Sequence, residues 1–142
     1  MPSHPLHVLL VEDNDDHADL TLYALEEHDA RHKTERVADG EAALDYLLQR
    51  GAYEAAVRPD LVLLDLNLPR RNGLDVLALV KEHPALRTIP VVVLTTSDAE
   101  TDRARAYGSY ANSYLVKPVN FDKFEAMIHE LGEYWARWNR LP

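Results

Sequence analysis

Leu61-Val62-Leu63-Leu64-Asp65-Leu66-Asn67-Leu68-Pro69 is apolar almost without a break and is bracketed by Pro59 and Pro69. Such a run reads as a strand buried on both faces, as in a parallel sheet. Asp65 stands where that strand should run out. In open α/β sheets, ligands and chemistry gather at the carboxyl ends of the strands. The stretch therefore predicts an architecture and, within it, the place of a reactive group.

Downstream, Pro69-Arg70-Arg71-Asn72-Gly73 has turn chemistry, since Asn-Gly tolerates positive φ. Leu74, Leu77 and Ala78 start a helix that ends near His83-Pro84. Ile89–Leu94 is a second buried strand, with Thr95-Thr96-Ser97 at its carboxyl end. Ser97-Asp98-Ala99-Glu100 matches a capping box, Ser97 capping and Glu100 reaching back. That helix stops near Gly108, and Ser113–Val116 is a short strand ending at Lys117-Pro118. A last helix begins near Asn120 and carries Phe124, Met127, Ile128, Leu131 and Trp135 at helical spacing.

Upstream, Leu6–Val11 is a short apolar strand that runs straight into Glu12-Asp13-Asn14-Asp15-Asp16. Asn14, Asp15 or Asp16 can cap the helix whose face is His17, Leu20, Thr21, Ala24 and Leu25. Lys33–Val37 is a weaker strand, and Asp39-Gly40 turns into a helix carrying Ala43, Tyr46 and Leu47. Gly51 to Pro59 is a connection. Strand then helix, five times over, makes right-handed crossovers and a parallel sheet covered on both faces. The expected fold is a single-domain α/β, flavodoxin-like (βα)5 doubly wound sheet with strand order 2-1-3-4-5.

The composition agrees. The chain has 142 residues, enough to bury a core, and its 46% apolar and 27% charged content is that of a globular protein. Having no cysteine excludes disulfide scaffolds and thiolate metal sites. No apolar run approaches the ~18 residues of a membrane helix, and Met1–His7 carries no signal-peptide pattern, so no membrane association and a cytoplasmic location are expected. The net charge of −9 disfavours nonspecific nucleic-acid binding.

Four strands deliver polar residues to one edge: Glu12-Asp13, Asp65, Thr95 and Lys117. With strand order 2-1-3-4-5, Asp13 and Asp65 lie on neighbouring strands about 5 Å apart. Three carboxylates that close repel, and a divalent cation relieves the repulsion. All-oxygen ligands favour Mg²⁺ or Mn²⁺ over zinc. A carboxylate beside such an ion can attack a phosphoryl group in line and form an acyl phosphate. Lys117 would hold the transferring oxygens, and the Thr95 hydroxyl could bond a phosphate oxygen absent before. Asn67 would offer its backbone carbonyl to the metal.

Glu12-Asp13, Asp65, Thr95 and Lys117-Pro118, in this order on this frame, resemble the receiver domain of two-component response regulators. The resemblance implies an acidic metal pair (Glu12, Asp13), a phosphoacceptor (Asp65), a switch hydroxyl (Thr95) and a phosphate-binding lysine (Lys117). It also implies that Tyr114 is a switch aromatic turning inward when Thr95 is recruited, and that the bond to Pro118 is cis. Arg58-Pro59-Asp60-Leu61, the stretch through Pro69, Ile89–Ser97, Glu133-Tyr134-Trp135 and Leu141-Pro142 are similar to the small stand-alone regulators of phytochrome histidine kinases. Such a regulator is expected to take its phosphoryl group from a histidine kinase and to catalyse its own phosphorylation and dephosphorylation. With no DNA-binding domain expected after residue 142, it would signal through its surface. The relatives imply a homodimer through the fourth helix, fifth strand and fifth helix.

Residues 1–132 are expected to form the receiver and 133–142 an aromatic extension of the last helix. Tyr134, Trp135, Trp138 and Leu141 exceed what one helix turn can easily bury, so this arm is expected to pack across a dimer partner. The alternative is that the arm packs on its own helix. The seven histidines have no metal-like spacing and read as ordinary surface or half-buried residues. Two rival functions remain: an unphosphorylated interaction module, and a Mg²⁺-dependent phosphatase with an aspartate nucleophile. The phosphatase places a second acid two positions after its nucleophile, where this chain has Asn67.

Overall fold

The computed structural model describes residues 4–142. In chain order the elements are β1 (His7–Val11), α1 (Asp15–His28), β2 (Lys33–Val37), α2 (Gly40–Leu47), a 3₁₀ turn (Gly51–Tyr53), β3 (Leu61–Leu64) and α3 (Gly73–Glu82). Then come β4 (Val91–Thr95), α4 (Glu100–Gly108), β5 (Ser113–Val116), α5 (Phe121–Glu133) and a π-helical turn (Tyr134–Trp138). All pairings are parallel, in the order β2-β1-β3-β4-β5. Every residue of β3 and β4 is buried, as expected for central strands covered on both sides. No helix among the described residues is long and apolar enough to cross a membrane.

Strand alternation divides the core into two layers. Leu9, Val11, Val62, Leu64, Val91 and Val93 point toward α2 and α3, where they meet Leu44, Val76 and Leu77. Val8, Leu10, Leu61, Leu63, Val92 and Leu94 point the other way, onto Leu25 of α1 and Phe124 and Ile128 of α5. Each helix layer therefore reads a different parity of the same strands.

Helix starts follow side-chain chemistry. Asn14, Asp39, Asn72 and Asn120 each accept a backbone N–H from the first turn that follows. At α4 the expected capping box does not form. The cap position is Ala99, and Ser97 instead donates to Asp102 Oδ2 at 2.6 Å and accepts the Ala99 N–H at 3.3 Å. The helix starts late enough that Asp102, not Glu100, is the acid within reach of the serine.

The Asn-Gly turn also works differently from expectation. Asn72 is an N-cap with φ −69°, and the positive φ of this loop is at Arg70, 66°. Gly73 is required by contact: a Cβ there would lie 2.2 Å from the Asp65 carbonyl oxygen. No cis peptide bond occurs among the described residues, so the expected cis bond at Pro118 is corrected to trans. Trans is the ordinary form of an X–Pro bond, and with it Lys117 already reaches the carboxylates described below, so the site needs no cis geometry.

Candidate functional site at the carboxyl edge of the sheet

The strand ladders continue one residue past β1, β3 and β5. Glu12 N–H donates to Val37 O at 3.0 Å, Asp65 N–H to Val11 O at 3.0 Å, and Lys117 N–H to Thr95 O at 2.7 Å. Glu12, Asp65 and Lys117 are thereby fixed at one edge, all with the parity that faces α1 and α5. Burial is nearly complete, at 1%, 6% and 5% exposure, so the three charges must satisfy one another.

They do so through Lys117. Its ammonium donates to Glu12 Oε1, to Asp65 Oδ2 at 2.9 Å and to His17 Nδ1 at 3.0 Å. Asp65 Oδ1 accepts the Asn67 N–H at 3.1 Å, while Glu12 Oε2 accepts that of Asn14 at 3.2 Å. Asp13 is exposed beside them. One ligand oxygen from each of Glu12, Asp13 and Asp65 falls within a common 4.8 Å spread. Hard oxygens, a net acidic cluster and one exposed carboxylate fit a divalent oxygen-seeking cation, which would offset the two acids that Lys117 leaves uncompensated.

The two buried acids differ. Burial pushes Glu12 up to about 7, against the pull of Lys117. At Asp65 burial also raises the pKa, but the charge and hydrogen bond of Lys117 and the Asn67 N–H outweigh it and hold the carboxyl below its usual value. Asp65 is thus the acid kept ionised near neutrality. Without a cation, Glu12 binds its proton more tightly folded than unfolded. Its contribution to stability therefore falls as pH rises from about 4.5 through 7. Metal ligation requires that proton to leave. If Glu12 is a ligand, affinity for a divalent cation is expected to weaken about tenfold per pH unit below about 7 and to level off above it, checked by calorimetric titrations on either side of neutrality; a flat profile would remove Glu12 from the ligand set.

Thr95 ends the neighbouring strand, fully buried, with its hydroxyl 3.3 Å from the Ser97 N–H. Half-buried Tyr114 packs against the α2–α3 layer and donates its hydroxyl to Ser97 O at 2.9 Å. Both therefore touch the loop that leads into α4. The residues of the expected dimer arm divide between two environments. Trp135 (8% exposed) and Leu141 pack on the chain's own α1–α5 layer, whereas Tyr134 and Trp138 (52% and 68%) face outward.

A family model described as the response regulator receiver domain matches residues 8–129. The chain belongs to that family. Among curated relatives of this receiver, the probable methanogenesis regulatory protein FilR2 of Methanothrix harundinacea is 47% identical over 97% of this chain and 88% of its own. Response regulator Rcp1 of Synechocystis sp. is 41% identical over 97% of this chain and 94% of its own. The Mn²⁺-bound crystal structure of Rcp1 superposes with a TM-score of 0.93 at 40% identity, covering 97% of this chain and 99% of that one. The phosphorylated cyanobacterial phytochrome response regulator RcpA gives 0.94 at 40% identity with the same coverage.

The receiver fold gathers Glu12, Asp13, Asp65 and Lys117 into one cluster and sets Thr95 one strand away. His17 is the member that spacing alone does not flag. Its position, four residues after Asp13 at the start of a helix packed on Phe124, is a signal legible only once the fold is assumed.

Proposed function

We propose that the chain is a phosphorelay receiver in which Asp65 accepts a phosphoryl group from a partner histidine kinase, with Mg²⁺ as the working cation. The observation that carries this is the buried Lys117 ammonium bridging Glu12 and Asp65 at the sheet edge. A bound divalent ion would supply charge neutralisation for the phosphoryl oxygens and a ligand position on them. Lys117 keeps Asp65 ionised and stands ready to pair with the oxygens that arrive. An Asp65 carboxylate oxygen forms the new bond to phosphorus; the bond from phosphorus to the donor nitrogen breaks, and the imidazole leaves with the electron pair. Thr95 and Tyr114 then relay the added charge to the loop before α4, Thr95 by moving its hydroxyl toward a phosphoryl oxygen.

The test is intact-protein mass after incubation with acetyl phosphate and Mg²⁺. Wild type is expected to gain one phosphoryl group that is labile at high pH, and Asp65→Asn to gain none. No gain in wild type would favour an unphosphorylated interaction module.

The similarity to RcpA supports a phytochrome-type kinase as donor. The 47% identity to the probable methanogenesis regulatory protein FilR2 supports a second reading, a role in metabolic regulation. For output we propose a homodimer through α4, β5 and α5, where β5 is an edge strand of the sheet and Tyr134 and Trp138, exposed, follow directly on α5. Trp138→Ala is expected to change unfolding free energy by less than about 0.5 kcal/mol yet lower the dimer fraction in sedimentation; an unchanged fraction removes Trp138 from the interface.

A further inference from the structure

A lysine ammonium has three N–H donors and no acceptor. Buried as Lys117 is, each donor needs a partner inside the protein. Two go to Glu12 and Asp65, and the third goes to His17 Nδ1 at 3.0 Å. Since the ammonium can only donate, Nδ1 accepts, and the ring is neutral with its proton on Nε2. Burial and the Lys117 charge, in that order, lower the His17 pKa, in keeping with a neutral ring.

The residue is held at its backbone as well as at its ring. Asn14 Oδ1 accepts the His17 N–H at 3.0 Å, and the Thr21 hydroxyl donates to the His17 carbonyl at 2.8 Å. The imidazole centroid lies 5.9 Å from that of the buried Phe124 ring, with the two planes tilted by 40°. A histidine on the first turn of α1 is thus clamped between its own helix and α5, with one nitrogen aimed at the lysine.

We infer that His17 is a positioning residue for phosphorylation of Asp65, its neutral Nδ1 fixing the direction of the Lys117 ammonium toward the incoming phosphoryl group. The inference rests on Asp65 being the phosphoacceptor. During transfer the contacts to Glu12 and Asp65 are the ones that change, because phosphoryl oxygens and a cation compete for the same atoms. The His17 contact touches no reacting atom and persists throughout. It lets Lys117 exchange one partner for another without losing its aim. With acetyl phosphate as donor, an Asp65 oxygen bonds to phosphorus and acetate leaves with the electron pair; His17 gains and loses no proton.

Three variants separate this role from packing. His17→Asn places an amide oxygen near the position of Nδ1, His17→Gln places it nearer that of Nε2, and His17→Leu keeps volume without an acceptor. At saturating acetyl phosphate and Mg²⁺, the rate constant for phosphorylation is expected to fall about tenfold in Leu and Gln, the size associated with losing a hydrogen bond to a charged group, and to return most of the way in Asn. Nitrogen-15 NMR of the wild-type imidazole should show the Nε2–H tautomer, independently of any turnover. Full activity in Leu, an equal loss in Asn, or an Nδ1–H tautomer overturns the inference. Wild type that takes up no phosphoryl group overturns the phosphoacceptor reading and this role with it; failure of the His17 role alone leaves wild type phosphorylated.

Discussion

Lys117→Met is expected to lower the unfolding free energy by about 3 kcal/mol at about pH 8 in EDTA, with most of the loss recovered in excess Mg²⁺. Methionine fills the space of the lysine stem but leaves Glu12 and Asp65 facing each other, buried, without the cation they share. Removing one partner of a buried ion pair is costly because the remaining charge keeps its desolvation penalty. Glu12, already pushed up to about 7 in the intact site, is the acid that will take a proton first. The loss should therefore shrink toward about pH 6, as protonation turns a repelling pair into a hydrogen-bonded one. Urea titrations at the two pH values, with and without Mg²⁺, read all three effects. Equal loss in EDTA and Mg²⁺ would show that Lys117 contributes packing and that the carboxylates share no metal. On the proposed function, phosphorylation should be lost in this variant even where Mg²⁺ restores stability, since the cation would not replace Lys117 as a donor to the phosphoryl oxygens.

Gly73→Ala is expected to cost about 3 kcal/mol and to slow phosphorylation by about a hundredfold. The added Cβ would meet the Asp65 carbonyl oxygen at 2.2 Å and Leu66 Cα at 2.6 Å. Both are backbone atoms, so no side chain can rotate away. Either α3 withdraws, breaking the Gly73 N–H bond to Leu66 O, or the backbone carrying Asp65 shifts. Gly108→Ala is the control, because a Cβ there meets nothing within 4 Å; it should leave stability unchanged or raise it by about 0.5 kcal/mol. A Gly73→Ala variant as stable as wild type would mean that the approach of α3 to Asp65 is looser than described.

The frame and its reactive edge were legible because they depend on patterns within short segments. Unbroken apolar runs marked β3 and β4, and Glu12, Asp65 and Lys117 each directly follow an expected strand, so topology alone brings them together. What escaped depends on contacts between distant segments or on the length of a single turn. His17 meets Lys117 across 100 residues of chain. The Gly73 requirement comes from Asp65 eight positions earlier, a backbone approach that turn propensity does not encode. Ser97 fits a capping box in sequence, but α4 starts at Glu100 and the serine pairs with Asp102. For the aromatic extension the sequence leaves two packings open, across a dimer partner or on its own helix, and the π-helical turn puts Trp135 in the chain's own core and Trp138 outside.

The alternation of the strands has a bearing on signalling. Glu12, Asp65 and Lys117 carry the parity of the α1–α5 layer, whereas Thr95 and Tyr114 carry that of the opposite layer. On the proposed function, input and readout would occupy opposite sides of a wall, and traffic between them would pass over its rim, through the short loops after the strands. The two sides are in principle separately adjustable. If that function holds, a substitution behind Tyr114 is expected to retune how strongly a phosphorylated chain responds without altering how quickly it is charged, and one beside His17 to do the reverse.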